Sequence, residues 1–375
     1  MQKVLLVAGA RPNFVKIAPL WRALAGCSGV RVMVVHTGQH YDRAMDAVFF
    51  EDLGLPAPDF NLQVGRGTHA VQTGLVMQRF DAVVAQEKPD DVMVVGDVNS
   101  TLACALVAAK RGIRLSHVEA GLRSFDPAMP EEINRKLTDA VSDWLFVSEP
   151  SGIRNLKMEN IPEEKIRLVG NVMIDSLLFA RHKIDASKIL AKLGLEEKAY
   201  GVVTLHRPSN VDTPERLQAL MSWLRQISGQ VSLVFPVHPR TRQKMEENQL
   251  FPATEQYGSG PLHIISPQPY IDFQKLVKSA QFVITDSGGI QEETTWLGIP
   301  CITLRNNTER PVTVDEGTNY LVGENLTEAS RVINNIMGKA SFRKTADSKS
   351  RKTGKIPDLW DGHTAERIVK VLLDG

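Results

Sequence analysis

The sequence predicts an α/β protein of two Rossmann-like domains, each built on a parallel sheet. Three observations predict it. Short, continuous apolar runs alternate with amphipathic segments along most of the 375 residues. Such runs suit strands covered by helices on both faces. The alternation restarts after a charged, weakly apolar stretch ending near Lys198, so the chain reads as two halves. The length also fits two domains of about 150 residues each.

In the first half, apolar runs place strands at 4–8, 30–36, 91–95, 113–118, 144–147 and 166–169. Amphipathic periodicity places helices between them at 15–25, 70–86 and 101–110. In the second half, strands are expected at 201–204, 231–237, 263–265, 282–284 and 301–304. Helices follow at 214–227, 272–279 and 289–297. The stretch 60–64 makes a poor strand. Residues 343–355, rich in Lys, Arg, Ser and Thr, read as a solvated loop. A last amphipathic helix is expected at 359–373. The first domain is therefore assigned to 1–170 and the second to 171–357.

Composition excludes several classes of function. Lys plus Arg is 44 and Asp plus Glu is 43, giving a net charge of +1. No global field recruits nucleic acid or an anionic membrane, so an anionic ligand must be met by local cations. Cys27, Cys104 and Cys301 are odd in number and widely spaced, which argues against a disulfide framework or a metal site. His36 and His40 bracket a strand end rather than a helix face, so they are not read as metal ligands either. The apolar run from Val4 is cut off by Arg11 and reads as a first buried strand, not a signal peptide. No stretch approaches the roughly 18 apolar residues of a membrane span. Cytoplasm is the expected compartment.

In open parallel sheets, ligands bind beyond the C-terminal strand ends, where helix N-termini favour anions. After the first strand come Arg11 and, one turn on, Lys16. Cations at a helix N-terminus oppose the dipole, so an anion such as a diphosphate explains them better than stability does. Gln39 follows the second strand. Asp97 follows the third and Glu119 the fourth; Glu131 and Arg135 share a face of the next helix. Buried carboxylates are costly, so their recurrence at strand ends points to acid/base work. In the second half, His206 and His238 follow two strands, and Gln268, Tyr270 and Phe273 follow a third. Ser287-Gly288-Gly289 then enters a helix, exposing backbone N–H groups suited to phosphate oxygens. Glu293 lies one turn in, suited to a ribose diol, and Arg310 adds charge. Gly65-Arg66-Gly67-Thr68-His69-Ala70 matches a dinucleotide fingerprint but is not in the first strand–helix turn. There is no P-loop.

Together these residues resemble the non-hydrolysing UDP-N-acetylglucosamine 2-epimerases. The resemblance runs from Gly9-Ala10-Arg11-Pro12 with Lys16, through Gly96-Asp97, His117-Val118-Glu119-Ala120-Gly121-Leu122-Arg123 and Pro130-Glu131-Glu132, to Asn134-Arg135. It continues through His206-Arg207, Pro236-Val237-His238, Asp286 to Glu293, and Thr308-Glu309-Arg310-Pro311. It implies a glycosyltransferase-B-like architecture: two parallel sheets facing a central cleft, with the C-terminal helix 358–375 packing back on the first domain. It implies UDP held by Gln268, Phe273, Ser287, Gly288, Gly289, Glu293 and Arg310. It places Arg11, Lys16, Asp97, Glu119, Glu131, Arg135 and His206 around the reacting sugar and diphosphate. No metal or cofactor is implied. A UDP-sugar is the expected partner, and the chain is expected to be a homodimer. Asn13 departs from the Glu of many members. Pro208 and Asp42 argue against the regulatory substrate site that some bacterial members carry.

The chemistry suits the residues. C2 of the sugar bears a non-acidic hydrogen, so inversion needs oxidation or elimination. Without a nicotinamide fingerprint, elimination of UDP to 2-acetamidoglucal and its re-addition is favoured. Two protonation faces need two acid/base groups from Asp97, Glu119 and Glu131. The alternatives are a 2-epimerase of a modified UDP-HexNAc, a glycosyltransferase of the same fold, a hydrolysing relative and a non-catalytic UDP-sugar sensor.

Overall fold

The computed structural model describes residues 1–38, 50–250, 261–338 and 354–374. The chain forms two compact units, one of Met1–Ala180 with Asp358–Gly375 and one of Arg181–Pro357.

The first unit carries a seven-stranded parallel sheet. Its strands are β1 (Gln2–Ala8), β2 (Val30–His36), β3 (Phe60–Asn61), β4 (Asp91–Val95), β5 (Arg114–Val118), β6 (Trp144–Val147) and β7 (Ile166–Leu168). Its helices are α1 (Arg11–Ala25), α2 (His69–Glu87), α3 (Asn99–Lys110), α4 (Pro130–Val141), α5 (Pro150–Met158) and α6 (Val172–Phe179). The strand order is β3-β2-β1-β4-β5-β6-β7, so it reverses between β1 and β4.

The second unit begins with α7 (Arg181–Ala186) and α8 (Ile189–Leu193). Its strands are β8 (Tyr200–Thr204), β9 (Ser232–Pro236), β10 (Leu262–Ile265), β11 (Phe282–Thr285), β12 (Cys301–Thr303) and β13 (Asn319–Leu321). Its further helices are α9 (Pro208–Val211), α10 (Pro214–Ser228), α11 (Pro239–Glu247), α12 (Tyr270–Ser279), α13 (Gly288–Leu297), α14 (Pro311–Asp315) and α15 (Leu326–Ile336). This six-stranded sheet runs β10-β9-β8-β11-β12-β13 and reverses between β8 and β11.

Period-2 alternation divides each strand between two cores. In β8, Val203 packs with Leu217, Leu220 and Leu224 of α10. Tyr200 and Val202 face the other way, onto Leu276 and Val277 of α12 and Ile290 of α13. In the first unit, Leu5, Val7, Val92 and Val94 pack with Val76 and Phe80 of α2 and Val107 of α3. Each such side chain contributes roughly 1.5–3 kcal/mol by burial.

The boundary falls after Ala180, later than residue 170, because α6 packs on α1 and stays with the first unit. The chain returns to that unit at Asp358. There α16 (Thr364–Asp374) packs on α1, and its N-terminal Ala365 amide donates to Asp175 Oδ2 at 2.7 Å. This helix starts at Thr364 rather than 359, because Leu359 and Gly362 take left-handed φ of 64° and 89°. The sequence reading also missed β3 and β13. Both are edge strands of two or three residues, too short to leave a periodic signature.

Candidate functional site

Both strand-order reversals are topological switch points, where loops diverge and leave a crevice beyond the strand ends. In the first unit the loops leaving β1, β4 and β5 meet there. Asn13 on α1 binds this edge together: its Oδ1 accepts the Gly9 and Ala10 amides at 3.2 and 3.0 Å, and its Nδ2 donates to the Val95 carbonyl at 3.2 Å. An ionised Glu, having no donor, could not make the bond to the Val95 carbonyl. Lys16 projects from the same helix and pairs with Glu119, both buried. Glu119 follows β5 with φ 70°, a strained conformation for a residue with a side chain. Gly96, with φ 67°, has no room for a Cβ: one would lie 2.9 Å from Lys16 Nζ. The glycine lets the chain pass beside the ion pair before delivering Asp97.

Asp97 is held by Arg135, which donates from Nη2 at 2.6 Å and Nε at 3.1 Å. Arg135 does not pair with Glu131, its i,i+4 neighbour. It turns to Asp97 and to Glu132, at 2.8 Å. Glu132 is a structural residue, accepting the Ser124 and Phe125 amides at 2.8 and 3.2 Å. Glu131 is half-buried in the first turn of α4. It makes no ion pair among the described residues.

Helix α4 is inverted relative to ordinary amphipathicity. It buries Glu132, Asn134, Arg135, Thr138 and Asp139, and exposes Ile133 and Leu137. A second polar layer therefore lies behind the strand ends. His117 of β5 is fully buried, with Nδ1 2.6 Å from Asp139 Oδ1 and Nε2 2.9 Å from the Gly96 carbonyl. Asp139 also accepts from Arg123 Nη2 at 2.7 Å and from the Gly121 amide at 3.1 Å. Burial works against its charge, but His117 and Arg123 outweigh it and hold the carboxyl below its usual range. The sequence reading took His117 and Arg123 only as parts of a motif and missed Asp139. The legible signal was the charged face of α4 opposite Ile133 and Leu137.

In the second unit the loops after β8 and β11 meet at the reversal. Asp286, fully buried, accepts the His206 and Arg207 amides at 3.1 and 2.9 Å and Asn210 Nδ2 at 3.1 Å. His206 Nδ1 lies 3.1 Å from the same carboxylate. Burial opposes this charge too, and the bonds from His206, Arg207 and Asn210 hold the Asp286 carboxyl low. The His206 and His238 rings are 5.3 Å apart; His238 is exposed and caps α11 through Nδ1 to the Arg240 amide. Helix α13 begins at Gly288 with no side-chain cap from Ser287, so its first N–H groups are left to other acceptors. Gly288 makes room for Arg310, whose Nη1 would lie 2.6 Å from an added Cβ. The guanidinium is steadied by Glu292, 2.8 Å from its Nε. Next to it, Arg305 makes a bidentate pair with buried Glu309, at 2.7 and 2.9 Å.

Glu293 is buried against Tyr270 and Gln274. Burial pushes its carboxyl up to about 8, with neighbouring Glu292 adding to the shift. Burial and then Glu293 raise the Tyr270 hydroxyl. Phe273 packs on the core beneath α12, and Gln268 donates to the Ser266 carbonyl at 2.7 Å. Gln39 and the side chain of Arg11 lie outside the described residues.

Known proteins match along the whole chain. The family described as UDP-N-acetylglucosamine 2-epimerase matches residues 22–373. A UDP-N-acetylglucosamine 2-epimerase of Methanocaldococcus jannaschii is 40% identical over 379 residues, covering 100% of this chain and 99% of that protein. A Pseudomonas aeruginosa UDP-2,3-diacetamido-2,3-dideoxy-D-glucuronate 2-epimerase is 42% identical over 325 residues, covering 86% and 88%. The crystal structure of the M. jannaschii UDP-GlcNAc 2-epimerase in complex with UDP-GlcNAc and UDP aligns with a TM-score of 0.87 at 40% identity, covering both chains completely. Phytolacca americana UGT2, 12% identical with a TM-score of 0.60, shares the glycosyltransferase-B fold and only the fold.

Proposed function

We infer the reaction from one premise: the chain belongs to the UDP-N-acetylglucosamine 2-epimerase family. It is an isomerase that inverts C2 of UDP-N-acetylglucosamine, reversibly, to give UDP-N-acetylmannosamine. The observation that carries the reading is the first unit's switch point, where Asp97 and Glu119 stand on adjacent strand ends with Arg135 and Lys16 as their cations.

A base on one face of the sugar takes the C2 proton as the C1–O bond to UDP breaks, leaving 2-acetamidoglucal and UDP. The UDP oxygen then re-forms the bond to C1, and an acid on the other face returns a proton to C2. Asp97, Glu119 and Glu131 supply these groups. Their negative charge also steadies the cationic character that develops at C1. Lys16, Arg11 and Arg135 hold the carboxylates and the diphosphate in place. In the second unit, the uncapped start of α13 and Arg310 suit the departing diphosphate. His206, fixed through Nδ1 by Asp286 and partly exposed, suits the same charge. Glu293 suits the ribose diol, with Tyr270 acting through it. Gln39, His238, Gln268 and Phe273 complete the substrate contacts.

In D2O, the product should carry deuterium at C2; product without deuterium would refute elimination. A second substrate class is favoured by the P. aeruginosa relative, whose substrate is a diacetamido glucuronate. Turnover of such a sugar in preference to UDP-N-acetylglucosamine, in a panel assay, selects that reading.

The proposed assembly is a homodimer. Its support is apolar surface on α2 and α4, where Val71 and Ile133 are each 52% exposed. Ile133 lines a hollow of about 330 Å³, together with Ala70, Thr73 and Gly74 of α2. The proposed compartment is the cytoplasm, consistent with free Cys104 and Cys301 in the two cores. No helix among the described residues is long and apolar enough to cross a membrane.

A further inference from the structure

The buried layer behind the carboxylates carries a role beyond packing. Both ring nitrogens of His117 face acceptors: the Gly96 carbonyl at 2.9 Å and the Asp139 carboxylate at 2.6 Å. A neutral imidazole donates from one nitrogen only, and a carbonyl never donates. The geometry is therefore that of an imidazolium, donating from both. Its charge closes a balanced set of two cations and two anions: His117 and Arg123 against Asp139 and Glu159.

The pair also ties two turns together. At one end His117 holds the carbonyl immediately before Asp97. At the other end Asp139 holds the Gly121 amide, two residues beyond Glu119, at 3.1 Å. The turns have little freedom elsewhere. A Cβ on Gly96 would meet Lys16 Nζ at 2.9 Å, and one on Gly121 would meet the Gly152 carbonyl at 2.5 Å. A change in the His117–Asp139 bridge therefore acts on the two turns that carry Asp97 and Glu119, as well as on the Arg123–Glu159 pair behind them.

We propose that His117, as an imidazolium bridged to Asp139, is a positioning residue that sets the spacing of Asp97 and Glu119 for proton transfer at C2. This rests on the acid/base reading of those two carboxylates. The test is kinetic. His117→Gln should lower kcat by about a hundredfold, the cost of a small misplacement of reacting groups. KM should stay within about threefold and UDP affinity unchanged, because His117 is fully buried and makes none of the proposed nucleotide contacts. Adding Asp139→Asn to His117→Gln restores charge balance and should recover about tenfold of the lost kcat. Wild-type kcat in His117→Gln, or a double variant no better than the single one, overturns the proposal. Asp97→Asn is assayed alongside. Loss of turnover there with wild-type kcat in His117→Gln removes the positioning role alone; wild-type kcat in both removes the acid/base reading as well. If His117→Gln does not fold, nitrogen-15 NMR of the wild-type imidazole decides. Both nitrogens protonated supports the bridge, and a neutral ring overturns it.

Discussion

Each unit reverses its strand order once, between β1 and β4 in the first and between β8 and β11 in the second. Different materials are gathered at the two reversals. The first unit collects carboxylates paired with cations: Glu119 with Lys16 and Asp97 with Arg135. The second collects an uncapped helix start, an arginine made possible by a glycine, and an aspartate that accepts backbone amides. Side-chain pairs can give and take protons, whereas backbone amides and guanidinium groups only stabilise charge. On the proposed function, the same topology serves two ends: the first unit brings the acid/base carboxylates, and the second brings most of the groups suited to the diphosphate.

The strongest way to break that comparison is to remove a proton carrier. Asp97→Asn should lower kcat by roughly a thousandfold or more while leaving UDP affinity, measured by calorimetry, within about threefold. Lost UDP affinity would show that Asp97 serves binding rather than proton transfer.

A smaller effect sharpens the account of the second unit through Glu293. Its carboxyl is raised from 4.5 to about 8 by burial. The folded state therefore holds a proton that the unfolded chain releases between those values. The stabilisation is full below about 4.5 and is lost as pH rises through about 8, at a cost on the order of a few kcal/mol. Glu293→Gln, permanently neutral, should melt at a temperature less sensitive to pH in that window. Parallel melting curves for the two proteins from pH 5 to 9, on the order of the window named, would remove the buried acid from the account.

The smallest expected change comes from Gly288→Ala. The new methyl would crowd Arg310 Nη1 at 2.6 Å and displace the guanidinium. UDP should bind about tenfold more weakly, a loss of about 1.4 kcal/mol, with the deuterium content of the product unchanged. Unaltered affinity would separate Arg310 from the diphosphate.

Much of this was legible beforehand because parallel strands write themselves as apolar runs. Strands β4 and β6 lie where their Val- and Leu-rich stretches place them, at Asp91–Val95 and Trp144–Val147. Charged residues interrupting such a pattern at strand ends pointed to Asp97 and Glu119. The edge strands β3 and β13 were illegible because two or three residues carry no period. Glu131 and Arg135 illustrate a different limit. Spacing put them on one helical face, but Arg135 answers to Asp97, 38 residues earlier in sequence.

The sequence by itself determined the two-sheet α/β plan and the residue types at each strand end, because periodicity and helix-terminal chemistry are local. Only the tertiary structure decided who meets whom. Lys16 reaches Glu119 across 103 residues, and His117 joins a carbonyl just past β4 to a carboxylate on α4. Those partners are set by strand order and by which way each buried side chain faces. Neither is written in any stretch of sequence short enough to read alone.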